Sequence, residues 1–131
     1  MKKFRSSTVA LLSLLLAQPL LAEETAVTGL FSTFRLSEKS RDIVGAEIHI
    51  VPNPVGYSAI VQGSEGAPGF PEVVGLTFKA NSVEFVVPLK SASGLPPGKY
   101  TGTITKDGLK LEGPTDLYKN YVMPRKNSYW P

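Results

Sequence analysis

The chain has 131 residues, of which 14 are Lys or Arg and 11 are Asp or Glu, and it contains no cysteine. Three of the basic residues, Lys2, Lys3 and Arg5, lie at the start, so the rest of the chain carries 11 basic and 11 acidic residues. A neutral domain gives no reason to expect nucleic acid as a partner. The lack of thiols excludes disulfides, thiolate metal sites and thiol redox chemistry.

Residues 1–22 have the pattern of a signal peptide, in which a basic start precedes an apolar run at 9–16, a helix-breaking Pro19 and a small Ala22. We expect cleavage after Ala22, with Ala17 as the alternative. An uncleaved anchor is less favoured, because a spanning helix needs roughly 20 apolar residues. The expected product is a periplasmic or secreted domain of residues 23–131 that does not span a membrane.

The first two predicted strands are residues 27–36 and 43–51, and the second alternates most clearly between apolar and polar positions. The residues expected on the core side are Leu30, Phe34, Leu36, Val44, Ala46, Ile48 and Ile50. The residues expected on the solvent side of the second strand are Gly45, Glu47 and His49. Residues 57–62 form a third predicted strand, followed by a loop rich in Gly and Pro at 63–71.

Residues 73–89 predict a hairpin, because two apolar runs flank a polar tip at Ala80-Asn81. That tip pairs Leu76 with Phe85 on an apolar face and Thr77 with Glu84 on a polar face. A slip by one residue would turn the apolar set to water, so the pattern fixes which face is buried.

A second hairpin follows another Gly/Pro loop at 91–98. Asp107-Gly108 is a strong two-residue turn signal, and with it at the tip Ile104 is expected to face Leu111. No segment after the signal has sustained helical periodicity. The expected fold is all-β, an antiparallel up-and-down meander of about seven short strands that forms a small barrel or sandwich. It is similar in general form to small exported β-meander proteins of bacterial envelopes, and the similarity implies no residue roles.

The C-terminal segment 113–131 is aromatic and basic and does not alternate. A meander leaves two exposed sheet edges unless something covers them. We therefore expect this tail to dock on the sheet, with Trp130 covering an edge or filling an open end. A free binding arm is the alternative.

Neither a catalytic residue, a metal ligand nor a cofactor is predicted. His49 is the only histidine, and with Glu47 it falls short of the three protein ligands that zinc needs. The GxSxG signature of a nucleophile elbow is absent. Glu47, Glu84 and Glu112 alternate with core residues, so we expect them in solvent rather than paired in a cleft.

The favoured function is a non-enzymatic binding module for an envelope protein or for a small apolar or glycan ligand. The contact surface is expected at the loops 63–72 and 91–98 together with the tail. The candidate binding residues are Phe70, Tyr118, Tyr121, Arg125, Tyr129 and Trp130. The alternative is an inhibitor of an envelope hydrolase that inserts loop 63–71 into a cleft, and an enzyme is the least favoured class.

Overall fold

A computed structural model describes residues 25–129, so the predicted signal peptide and the predictions for Trp130 lie outside the described residues. Nine strands and one short 3-10 turn, Asp116–Tyr118, make up the regular structure of this part. The strands are β1 (Gly29–Ser32), β2 (Arg35–Leu36), β3 (Ile43–Asn53), β4 (Gly56–Gly66), β5 (Glu72–Lys79), β6 (Ser82–Val87), β7 (Gly98–Thr105), β8 (Gly108–Glu112) and β9 (Tyr121–Pro124).

The strands form one antiparallel sheet in which each strand from β3 to β9 pairs with the next, while β1 and β2 both pair with β3. The predicted all-β meander is therefore confirmed. The first and last strands approach each other at a bridge between Phe31 and Arg125, and the Lys126 amide donates to the Leu30 carbonyl at 3.1 Å. This contact brings the sheet nearly to closure as a barrel.

Large side chains occupy the interior of the barrel, as expected for about eight strands, whose interior is just wide enough for side chains to fill. Phe85 and Tyr100 stack there with ring centroids 5.1 Å apart. The other large, fully buried residues are Phe31, Ile48, Ile50, Val61, Val83, Val87, Leu109, Leu111 and Met123. They come from almost every strand, so apolar burial holds the whole wall together.

The two ends of the barrel differ in their connections. One end, here called the hairpin end, has two-residue turns between β3 and β4, β5 and β6, and β7 and β8. Ala80 and Asn81 have φ of 50° and 64° in the second of these turns, which matches the twist of a tight hairpin. The opposite end, the loop end, carries the longer connections 67–71, 88–97 and 113–120.

The two predicted hairpins have different outcomes. In β5–β6, Leu76 pairs with Phe85 and Thr77 with Glu84, as predicted. In β7–β8 the predicted register is wrong, because Ile104 pairs with Leu109 and the tip is 106–107. The shift is two residues, which leaves the same faces inside. Gly108 belongs to the strand, where a Cβ would lie 2.2 Å from the Met123 carbonyl oxygen of β9.

The prediction for the first strand is also wrong in which face it buries. Phe31 points into the barrel and is fully buried, whereas Leu36 is exposed, and Phe34 lies outside the barrel core. Pairing of Ser32 with Glu47 puts the even-numbered residues of this segment on the outer face. The strand is interrupted between β1 and β2, where the Thr33 carbonyl oxygen passes 2.5 Å from the position of a Cβ on Gly45.

The predicted third strand is too short and the loop after it too long. β4 runs to Gly66 and pairs with β3 along its whole length, so four residues of the expected loop 63–71 belong to the sheet. Position 63 of the strand requires glycine, because a Cβ there would lie only 2.9 Å from atoms of Gly94 and Leu95. The glycines in this stretch allow close packing of the next loop rather than marking a turn.

Replacing Gly108 by Ala tests the close approach of β9, and Gly56→Ala is a matched control. Both glycines have positive φ, 152° and 147°, but a Cβ on Gly56 meets nothing within 4 Å. Both variants should therefore share a backbone cost of about 1–3 kcal/mol. We expect Gly108→Ala to lose about 1–3 kcal/mol more in urea denaturation, because β9 must shift. Equal losses would contradict the observed register.

Candidate functional site

The two Gly/Pro loops meet at the loop end and are joined through their backbones. The Gly63 amide donates to the Ser93 carbonyl at 2.7 Å, and the Phe70 amide donates to the Ala92 carbonyl at 2.8 Å. A Cβ on Gly69 would lie 2.2 Å from the Ser93 carbonyl carbon. Only glycine at position 69 allows this approach, so Gly69 is required for the contact between the loops.

Hydrogen bonds from polar side chains also hold the two loops together. The Ser91 hydroxyl donates to the Glu72 carboxylate, and the Ser91 and Ser93 hydroxyl oxygens lie 2.7 Å apart. The Gln62 amide nitrogen donates to the Gly69 carbonyl at 2.6 Å. Ser93 is fully buried, and a buried network whose groups are bonded is rigid. The loops therefore form one pre-organised surface.

Four apolar side chains stand exposed beside these loops, here called the rim patch. Val73 and Val86 project from the outer faces of neighbouring strands β5 and β6, and Phe70 and Leu89 lie in the adjoining loops. Their exposed fractions are 66%, 56%, 78% and 85% respectively. Large contiguous apolar patches on soluble proteins are candidate interaction surfaces, and we take the rim patch as one. Gly75 of β5 leaves open space on the sheet surface, since nothing lies within 4 Å of the position of a Cβ there.

Tyr118 and Tyr121, two of the candidate binding residues, belong to the packed loop end. Tyr118 is only 2% exposed and contacts Tyr100 edge-on, with centroids 5.8 Å apart. The rings of Tyr118 and Tyr121 lie 4.9 Å apart. The connection 113–120 folds back on itself through a bond from the Gly113 amide to the Tyr118 carbonyl. Tyr118 thus fills the loop end of the barrel.

Arg125 is a structural clamp at the hairpin end. Its guanidinium donates to the Thr28 carbonyl at 2.9 Å and to the Ala26 carbonyl. The same group lies 4.7 Å from the centroid of the Phe31 ring, a favourable cation–π arrangement. Arg125 therefore joins the N-terminal segment to the last strand, and its donors are used within the chain.

The tail beyond β9 crosses the outer face of the sheet, where Ser128 and Tyr129 contact Glu47. The Glu47 carboxylate accepts bonds from the Ser128 hydroxyl at 3.0 Å and from the Tyr129 amide at 3.1 Å. The Tyr129 ring meets Phe34 edge-on at 6.1 Å. Glu47 is 8% exposed, so its expected solvated position is wrong. It does point out of the barrel, and the tail covers it there.

A shallow groove of about 390 Å³ runs along this part of the tail. It is lined by Leu30, Glu47, His49, Ile60, Gln62, Pro71, Lys126, Asn127 and Ser128. His49 is half-buried there. Among residues 25–129, no group of three or more His, Asp or Glu side chains is arranged to hold a metal ion. No helix in the same range is both long and apolar enough to cross a membrane.

A second cavity, the seam pocket, lies at the loop end beside the gap between β2 and β9, and its volume is about 450 Å³. Its lining residues are Thr33, Arg35, Val44, Gly45, Ser64, Glu65, Leu117, Tyr118 and Tyr121. The Thr33 and Tyr121 hydroxyl oxygens lie 2.6 Å apart across it. This single bond spans a stretch where the strands themselves do not pair.

The candidate binding residues are thus placed in four different regions. Phe70 is exposed on the rim patch, Tyr118 and Tyr121 pack at the loop end, Arg125 lies at the hairpin end and Tyr129 lies on the outer face. Trp130 lies outside the described range. Sequence reasoning missed Val73, Val86 and Leu89. The alternation of β5 and β6 already marked the two valines as apolar residues on the solvent face.

Comparison with models of protein families, with curated proteins and with solved structures gives no match.

Replacing Glu47 by Ala should release the tail, with Glu112→Ala as the control. Glu47 holds two donors of the tail in a buried position, and removing such an acceptor costs about 1–3 kcal/mol. Glu112 is exposed and accepts one backbone bond, from Asn120. We expect faster amide hydrogen exchange at Ser128 and Tyr129 in the first variant alone. Unchanged exchange at Tyr129 would show that Glu47 does not anchor the tail.

Proposed function

We propose that this chain is a non-enzymatic binding module that docks a protein partner through the rim patch. The observation that carries the proposal is the exposure of Phe70, Val73, Val86 and Leu89 on a surface whose backbone is held by hydrogen bonds. A rigid surface loses little conformational entropy on binding, so more of the contact energy is available as affinity.

The chemistry of the patch favours a folded protein over a small molecule. Val73 and Val86 project from the outer face of the barrel wall, and Phe70 and Leu89 lie in the adjoining loops. Small-ligand sites are instead concave. Phe70 is the aromatic residue of the patch and the expected energetic anchor, because aromatic side chains dominate the energetics of protein interfaces. Lys90 is exposed next to Leu89, so the matching surface would be apolar with a carboxylate near its edge.

The inhibitor alternative is supported less well by the loop geometry. Insertion into an enzyme cleft needs a segment that projects from its support. The Gly69 amide instead donates to the Gly63 carbonyl at 3.0 Å, and Phe70 is bonded to Ala92. This loop lies against its neighbour, and what projects is the Phe70 side chain. The predicted signal at residues 1–22 supports a partner in the periplasm or at the cell exterior.

Site-specific photo-crosslinking in growing cells tests the proposal. A benzoyl-phenylalanine at position 70 should give a discrete crosslinked product, and the same group at position 55 should not. Val55 is the matched control because it is 95% exposed but lies in a turn at the hairpin end. With the crosslinked protein purified, Phe70→Ser should weaken its binding at least about tenfold. Val55→Ser should leave it unchanged.

Two results would contradict the proposal. Equal crosslinking from positions 55 and 70 would mean that the contacts are non-specific. Equal affinity of the Phe70→Ser and wild-type proteins would mean that the partner binds elsewhere. If the purified partner is a hydrolase that loses activity on binding, the inhibitor alternative replaces the binding module.

A further inference from the structure

The seam pocket contains two charges of opposite sign on a single row of the sheet. Arg35 of β2 pairs with Val44 of β3, and Val44 pairs with Glu65 of β4. Directly paired residues share a face, so both charged side chains flank Val44 on the inward-facing side. With strands about 4.8 Å apart, the Cα atoms of Arg35 and Glu65 are separated by roughly 9–10 Å.

Neither charged side chain forms an ion pair or a hydrogen bond within the described part of the chain. The ion pairs there are Lys99 with Glu84 and Lys119 with Asp116, and both lie elsewhere on the surface. No hydrogen bond to the side chain of Arg35 or Glu65 is found in the same part. Two unpaired opposite charges on either side of an apolar residue form a complementary surface for a ligand with the reverse arrangement.

The Tyr118 hydroxyl is a third polar group at the pocket. The Tyr118 side chain is 2% exposed as a whole and lines the pocket. No buried side-chain polar atom among residues 25–129 lacks a hydrogen-bond partner, so the hydroxyl of Tyr118, which forms no such bond there, is in contact with solvent. Burial raises the pKa of its phenol above the ordinary value, and the nearby Tyr121, Tyr100 and Glu65 raise it further. The phenol therefore keeps its proton and remains a donor. A hydroxyl that reaches solvent at the pocket is free to donate a hydrogen bond to a ligand acceptor.

We propose that the seam pocket binds a short peptide with free termini, about two residues long. Its carboxylate would bind Arg35, its ammonium would bind Glu65 and its side chains would lie over Val44. Its amide oxygen would accept a hydrogen bond from the Tyr118 hydroxyl. The termini of an extended dipeptide are about 6–7 Å apart. This is less than the roughly 9–10 Å between the Cα atoms of Arg35 and Glu65, so each terminus can lie within reach of one of the two side chains. The volume of about 450 Å³ is in the range of small-ligand sites.

This site is separate from the rim patch, so the two proposals can fail independently. A neutral sugar is the main competing ligand, since the pocket also presents the hydroxyls of Thr33 and Ser64. A neutral sugar, however, has no charged group to pair with Arg35 or Glu65. Ser64 already donates to the Ile43 carbonyl at 2.5 Å, and the Thr33 hydroxyl is bonded to Tyr121 and to Ala46.

Amide shifts in NMR titrations with alanyl-alanine test the proposal on the full-length protein. We expect saturable shifts at Val44, Glu65 and Tyr121. Arg35→Gln and Glu65→Gln should each weaken binding about tenfold, the usual worth of a hydrogen bond to a charged group. Glu38→Gln and Lys39→Gln, exposed charges in the neighbouring loop, are the controls and should change nothing.

Blocked peptides identify which terminus each residue binds. N-acetylation should weaken binding to the wild type but not further in Glu65→Gln, and C-terminal amidation should behave the same way with Arg35→Gln. Tyr118→Phe keeps the ring and should weaken alanyl-alanine roughly threefold to tenfold. The absence of shifts in the pocket at about 10 mM peptide would overturn the proposal, as would equal binding by the blocked forms. Shifts there with N-acetylglucosamine alone would assign the pocket to a sugar.

Discussion

Closure of the sheet between its first and last strands is the contact on which the rest of the structure depends. A meander exposes two edges, and unpaired edges invite aggregation. Here the edges meet at the Phe31–Arg125 bridge, and the Arg125 guanidinium continues the contact to the carbonyls of Ala26 and Thr28. One side chain thereby links residues almost a hundred positions apart. The chain has no cysteine, so this clamp is made without a disulfide.

Closure also determines where function can lie. With Tyr118 filling the loop end and Arg125 holding the N-terminal segment over the hairpin end, large side chains occupy the interior. The surfaces left for a partner are the outer faces and the rim. Closure is incomplete beyond the Arg125 clamp, because β2 and β9 do not pair and a gap remains between them. It leaves the seam pocket, with the charges of Arg35 and Glu65 on an inward-facing row that elsewhere carries core residues.

Local pattern predicted the features that depend on parity and turn length. The β5–β6 pairing of Leu76 with Phe85 follows from two alternating runs and a two-residue tip. A slip of two residues preserves parity, so the same reasoning could not fix the β7–β8 register, which depends on the approach of β9 to Gly108. The burial of Glu47 and the clamp at Arg125 could not be predicted from the sequence for a similar reason. Both bind segments distant in sequence, and the bonds at Arg125 are made to backbone carbonyls that carry no sequence signature.

Hydrogen exchange in an Arg125→Gln variant tests closure by the clamp most directly, with Lys126→Gln as a neighbouring control that keeps the backbone bond to Leu30. Local opening exposes amides in cooperative units. The account predicts faster exchange at Phe31 in β1 and Met123 in β9, with Phe85 in β6 changed much less, and no effect in the control. Equal acceleration at all three positions, or none at Phe31 and Met123, would contradict the claim that Arg125 holds the barrel closed.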